Sequence, residues 1–162
     1  MTDIFAWIEQ TPFSIWLRED LYAFFVVLIF HSLGMAFLVG GGMVICLRVA
    51  GLASGARLEK FRGFFPVMWI GLVMAVCSGV LLLWSYPAKA LTNPVFALKF
   101  ILLISAGVMM GVIAKRLFPL AERGEALPGW ARWAGIGTFV LWAAGVTAGK
   151  FLPYTHHVLM VS

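Results

Sequence analysis

A chain of 162 residues that is 62% hydrophobic and only 12% charged, with a mean hydropathy of +0.98, is excluded from the ordinary soluble domains and reads as an integral membrane protein. Its net charge of +5 does not point to nucleic acid, because the basic residues gather at the ends of apolar segments, where they set topology. Residues 1–162 are expected to form a single membrane domain, with too little chain outside the apolar segments for a soluble catalytic module.

Residues 2–18 predict a short amphipathic interfacial helix. Ile4, Phe5, Trp7 and Ile8 can share one side, with Asp3, Glu9 and Gln10 elsewhere. Pro12 breaks this helix or starts a second turn, with Thr11 as its N-cap, and Trp7 and Trp16 suit the bilayer interface. The acidic residues and the lack of a basic stretch here are unlike a cleavable signal peptide, so this segment is expected to stay in the mature protein.

The first span is predicted over about 20–48. From Leu21 to Leu47 the only residue that can carry a charge is His31. Roughly 20 apolar residues, each rising about 1.5 Å, cross the hydrocarbon core, so this segment spans with length to spare. His31 falls about 15 Å along the axis from Leu21. An ionisable side chain at that depth is costly without a partner, which makes His31 the first functional candidate. Gly34, Leu38 and Gly41 or Gly42 follow it along one face.

A basic loop with Arg57, Lys60 and Arg62 leads to a second span over about 64–86, in which Gly71, Ala75 and Gly79 repeat as a small-xxx-small seam. Trp84 and Tyr86 mark its interfacial end and Pro87 ends it. Asn93-Pro94 is a helix-start signal for a third span over about 95–118, with Lys99 in its first turns and Gly107-xxx-Gly111 in its body. A polar loop from Pro119 precedes the fourth span, about 130–152, with Gly145-xxx-Gly149. Pro153 is expected to stop it and leave residues 153–162 as a tail. The fold class is therefore all-α, an integral membrane four-helix bundle with an N-terminal interfacial helix.

Eight basic residues (Arg48, Arg57, Lys60, Arg62, Lys115, Arg116, Arg123 and Arg132) lie on the side of the first and third loops, against Arg18, Lys89, Lys99 and Lys150 on the other. That bias predicts a multi-pass membrane protein with the first and third loops in the cytoplasm and both termini outside.

A b-type haem in a helical bundle takes two axial imidazoles from different helices, small residues where the porphyrin presses on backbone, and cations near the propionates. His31 with His156 or His157 supplies candidate ligands. The glycine seams supply room, and Lys99, with Lys89 or Lys150, supplies charge. Without CxxCH, covalent haem is not expected. The leading expectation is thus an electron-transfer subunit holding haem b near the periplasmic face, working between a quinone and a periplasmic redox partner or within a larger complex or homo-oligomer. The alternatives are a non-catalytic structural subunit, with His31 as an interhelical hydrogen-bonding group, and a copper-handling protein.

The residues read equally well in plainer ways: a membrane histidine bonding a neighbouring helix, lysines snorkelling to the interface, histidines in a wet tail. The eight methionines show no MxxM clustering, and Cys46 and Cys77 no CxxC spacing, so these residues read as apolar filling. AGVTAGKF, Ala144–Phe151, lacks the first glycine and the final Ser/Thr of a P-loop, and no carboxylate lies within a span to relay protons.

The stretch TPFSIWLREDLYAFFVVLIFHSLGMAFLVGGGMVICLRVAGL, with SGVLLLWS, LTNPVFALKFILL and AAGVTAGKFLPY, resembles an uncharacterised bacterial four-transmembrane-helix family over most of the chain. The histidine of the first span and the Asn-Pro-x-Phe-x-x-Lys opening of the third are its most recognisable parts. More distantly, they are similar to the CopD copper-resistance and HemJ-like membrane proteins, associated with copper and haem respectively. The resemblance implies His31 and Lys99 as a functional pair.

Overall fold

The computed structural model describes residues 2–52 and 55–159, and for residues 2, 3, 89 and 153–159 the backbone alone. The described chain is all-α. Helices α1 (Thr2–Glu9) and α2 (Pro12–Glu19) precede α3 (Leu21–Val49), and a short 3₁₀ helix (Leu58–Gly63) leads into α4 (Phe64–Ser85). Then come α5 (Pro87–Leu91), α6 (Pro94–Glu122) and α7 (Trp130–Leu159). Four of them, α3, α4, α6 and α7, are long and apolar enough to cross a membrane, and together they form a four-helix membrane bundle.

The N-terminal segment is two helices instead of one, because Pro12 has no N–H to continue α1 and Thr11 starts afresh. The Thr11 hydroxyl accepts from the Ser14 amide at 3.3 Å and donates to the Ile8 carbonyl at 2.7 Å. Nor does the segment only lie on a surface. Ser14 Oγ donates to the Trp84 carbonyl at 3.1 Å, and the Arg18 guanidinium reaches the Glu9 and Ser85 carbonyls and lies 5.7 Å from the Tyr86 ring centre. These bonds clamp α1 and α2 to the junction of α4 and α5. The opposite side of the pair, with Ile4, Trp7, Phe13 and Trp16, stays exposed, as an interfacial element requires.

Glycine sets the helix pairings. A Cβ on Gly34 would stand 2.6 Å from the Ala75 nitrogen, and one on Gly71 would stand 2.6 Å from the Leu38 nitrogen, so the backbones of α3 and α4 touch. Gly135 places α7 against the Cys46 carbonyl of α3 in the same way, at 2.8 Å, and Gly145 receives the Leu103 side chain of α6 at 2.6 Å. The helices therefore stand in the order α4–α3–α7–α6. The two outermost, α4 and α6, have no extended contact with each other.

They come together at the end that carries the 3₁₀ helix. There Phe65 and Phe118 pack edge to face at 5.2 Å, the 3₁₀ helix rests on α6, α4 and α3, and Arg62 pairs with Glu122. The apolar core lies at this end, with Ile45, Cys46, Leu58, Ile113, Leu117 and Phe118 all but fully buried. Gly51 and Gly124, with φ of +94° and +71°, end α3 and α6 here in left-handed caps. In each, the following amide reaches back to the carbonyl five residues earlier, Leu52 to Leu47 and Glu125 to Leu120. At the other end, marked by α5, no residue of α6 from Pro94 to Ser105 is fully buried.

Two proline expectations are corrected. α6 continues through Pro119 to Glu122, and α7 continues through Pro153 to Leu159. A proline removes one backbone donor, and membrane helices absorb that loss, so neither residue terminates its helix. The Gly107-xxx-Gly111 seam also differs from expectation: a Cβ on either glycine would meet nothing within 4 Å.

Replacing Gly71 by leucine should force α3 and α4 apart and cost about 1–3 kcal/mol or more, whereas Gly107→Ala should be neutral or stabilising. Unfolding by sodium dodecyl sulfate titration of the purified protein measures both.

Candidate functional site

The close approach of α3 and α4 brings His31 against its neighbour. Nδ1 of the imidazole lies 3.1 Å from the Ala75 carbonyl oxygen and 3.1 Å from Ser78 Oγ. The Ser78 hydroxyl donates to the Met74 carbonyl one turn back on its own helix. Both groups facing Nδ1 are then acceptors, which assigns the proton to Nδ1 and leaves Nε2 as the ring's lone-pair nitrogen. Among the described residues Nε2 has no hydrogen-bond partner. Gly79 is part of this arrangement: a Cβ there would stand 3.3 Å from the ring's Cε1, so the imidazole occupies the space that a side chain would fill.

Lys99 stands on α6 and packs against α7. It is half-buried, and its stem lies along α7 where Gly149 has no side chain: Cε, Cδ and Nζ come within 3.3, 3.4 and 3.5 Å of where a Cβ would be. The three ion pairs among the described residues, Arg57–Glu59, Arg62–Glu122 and Arg123–Glu125, are all at the opposite end of the bundle, and none includes Lys99.

The remaining sequence candidates are not gathered here. Lys150 is exposed to the surroundings of the bundle. The side chains of Lys89, His156 and His157 lie outside the described residues. The backbone of His156 and His157 continues α7 as a helix, which carries it seven and eight residues past Gly149, roughly 10–12 Å further along the axis. The tail expected from Pro153 onward is instead helical as far as Leu159. Among the described residues no three His, Cys, Asp or Glu side chains cluster as a metal site. Met68 and Met110 are core residues, with Met68 packed against Gly41 and Gly42.

Ser78, Gly79 and Gly149 were absent from the sequence expectation as site residues. Their only signal was a hydroxyl within an apolar span and glycines that also suit helix packing. Comparison with protein-family models, with curated proteins and with solved structures gives no match for this chain.

Nitrogen NMR shifts of labelled His31 in the unliganded protein should show a protonated Nδ1 and an unprotonated Nε2. The reverse tautomer would overturn the assignment made from Ala75 and Ser78.

Proposed function

We propose that this chain is a membrane electron-transfer subunit that binds a b-type haem in the α5 half of the bundle, with Nε2 of His31 as one axial ligand. The observation that carries the reading is the bond from Nδ1 of His31 to the Ala75 carbonyl. Ligating imidazoles characteristically donate their second nitrogen to a carbonyl or carboxylate, which fixes the ring and raises the basicity of the ligating nitrogen. The resemblance to CopD and HemJ-like proteins supports the same pair, His31 and Lys99.

When bound, the haem supplies one-electron chemistry between a quinone and a periplasmic partner or a larger complex. The chain's own residues have separate tasks. Ala75 and Ser78 hold the imidazole in one orientation. Gly79 leaves room for the imidazole, Lys99 would answer a carboxylate of the cofactor, and the apolar helices would keep water away. Purified protein should show a Soret band and a reduced α band, and both should be lost or shifted in His31→Ala. A pigmented His31→Ala protein with an unchanged spectrum rejects His31 as the ligand.

A second reading is favoured by the same 3.1 Å contact: His31 as a structural bond between α3 and α4 in a non-catalytic subunit. It predicts a colourless protein in which His31→Leu costs about 0.5–1.5 kcal/mol, the range of interhelical hydrogen bonds in membranes. Copper handling would instead give stoichiometric copper by elemental analysis and no haem spectrum.

The distribution of basic residues supports an orientation in a bacterial inner membrane with the α5 end periplasmic. In a protein whose Cys46 and Cys77 are replaced, a cysteine at Thr92 should react with impermeant maleimide in intact cells. One at Glu125 should react only after permeabilisation.

A further inference from the structure

We infer that the 3₁₀ end of the bundle holds a headgroup site for an acidic phospholipid, in the cavity where α3 ends and α7 begins, with Arg132 as its cation. No residue of the His31 site takes part, so the site is independent of the haem reading.

Three observations carry it. First, an open cavity of about 480 Å³ lies there. The end of α3 forms one wall, and the start of α7 with the loop before it forms the other. Among the described residues that line it, Arg132 alone is charged. Second, charge at this end is one-sided. Its eight basic residues outnumber three acidic ones, Glu59, Glu122 and Glu125, and each of these is already paired, with Arg57, Arg62 and Arg123. The Arg48 guanidinium donates to the Ala56 carbonyl. Arg132 has no ion-pair partner among the described residues. An anion entering the cavity therefore meets a positive field that the chain's own carboxylates do not cancel.

Third, the cavity stands at headgroup level. Trp130 and Trp133, on either side of Arg132 in the sequence, are 46% and 72% exposed, and tryptophans at the end of a span sit at the membrane–water boundary. Leu52, 77% exposed, and Leu127 line the same cavity. A free phosphate gains nothing from these leucines, whereas a phospholipid sets its glycerol and first acyl carbons against them while its phosphate meets the arginine.

Native mass spectrometry of the full-length protein in detergent, titrated with phosphatidylglycerol or phosphatidylcholine, tests the site. The first phosphatidylglycerol should bind at least fivefold more tightly than the first phosphatidylcholine. Arg132→Met should remove most of that preference and Arg132→Lys should keep most of it. Leu52→Glu, a change at an exposed side chain, should abolish it with unchanged helix content by circular dichroism. Lys115→Met takes an equal charge from the same end but not from the cavity, and should change the affinity less than twofold.

Equal binding of the two lipids overturns the site. So do equal losses in Arg132→Met and Lys115→Met, which would make the attraction a property of the whole basic end. Displacement of phosphatidylglycerol by inorganic phosphate at constant ionic strength also overturns it, because the cavity would then take a free anion.

Discussion

The contact on which the rest of the structure depends is the backbone approach of α3 and α4 at Gly34 and Gly71. Between helices in lipid there is little hydrophobic driving force, since the lipid tails are as apolar as the side chains, so association comes from close van der Waals fit and from polar bonds. Gly34 and Gly71 provide the fit. Because the helices are antiparallel, that contact also fixes what lies beyond it. Three residues back from Gly34 on α3 is His31. Four and seven residues on from Gly71 on α4 are Ala75 and Ser78. The imidazole meets those two residues because the glycines have already set the register, and Gly79, one residue on, leaves the ring its space.

The bundle is built differently at its two ends. The 3₁₀ end has the buried core, the glycine caps of α3 and α6, the aromatic pair and the ion pairs. The α5 end has α1 and α2 clamped to the α4–α5 junction, and the start of α6 tied to α7 by Asn93 Nδ2 donating to the Leu152 carbonyl. Between these ties and the core lie His31 and Ser78, at the contact of α3 with α4, and Lys99, against α7 at Gly149. Regions with few buried contacts open at lower free-energy cost than the core does.

Much of this was legible in the sequence because the bilayer leaves few choices. Apolar runs of this length in lipid must be helices, as no other segment satisfies its own backbone. The start of α6 was readable for a local reason, since Asn93 Oδ1 accepts from the Val95 amide at 2.9 Å and Pro94 needs no partner. His31 and Lys99 stood out as the polar residues at depth. What could not be read was which faces meet. Gly71 and Gly107 sit in equally good small-xxx-small seams, yet one touches a neighbouring backbone and the other meets nothing in the described chain. Ser78 gained meaning only through its distance to the imidazole. Pro119 and Pro153 looked like ends because local sequence shows the lost donor, whereas the continuation of each helix depends on what surrounds it.

The choice between His31 as a structural bond and His31 as a ligand turns on its second nitrogen. A bond from α3 to the Ala75 carbonyl needs one donor, which a serine or a threonine also supplies without a further polar atom. Imidazole brings a second nitrogen. With Nδ1 donating to Ala75 and Ser78, that atom is an acceptor without a partner among the described residues. An unsatisfied polar atom away from water costs about 1–3 kcal/mol. That cost is comparable to what the helix–helix bond contributes, so a purely structural histidine gains little over a smaller residue. Under the proposed haem reading, coordination would satisfy that nitrogen and would use the same Nδ1 bond to aim it.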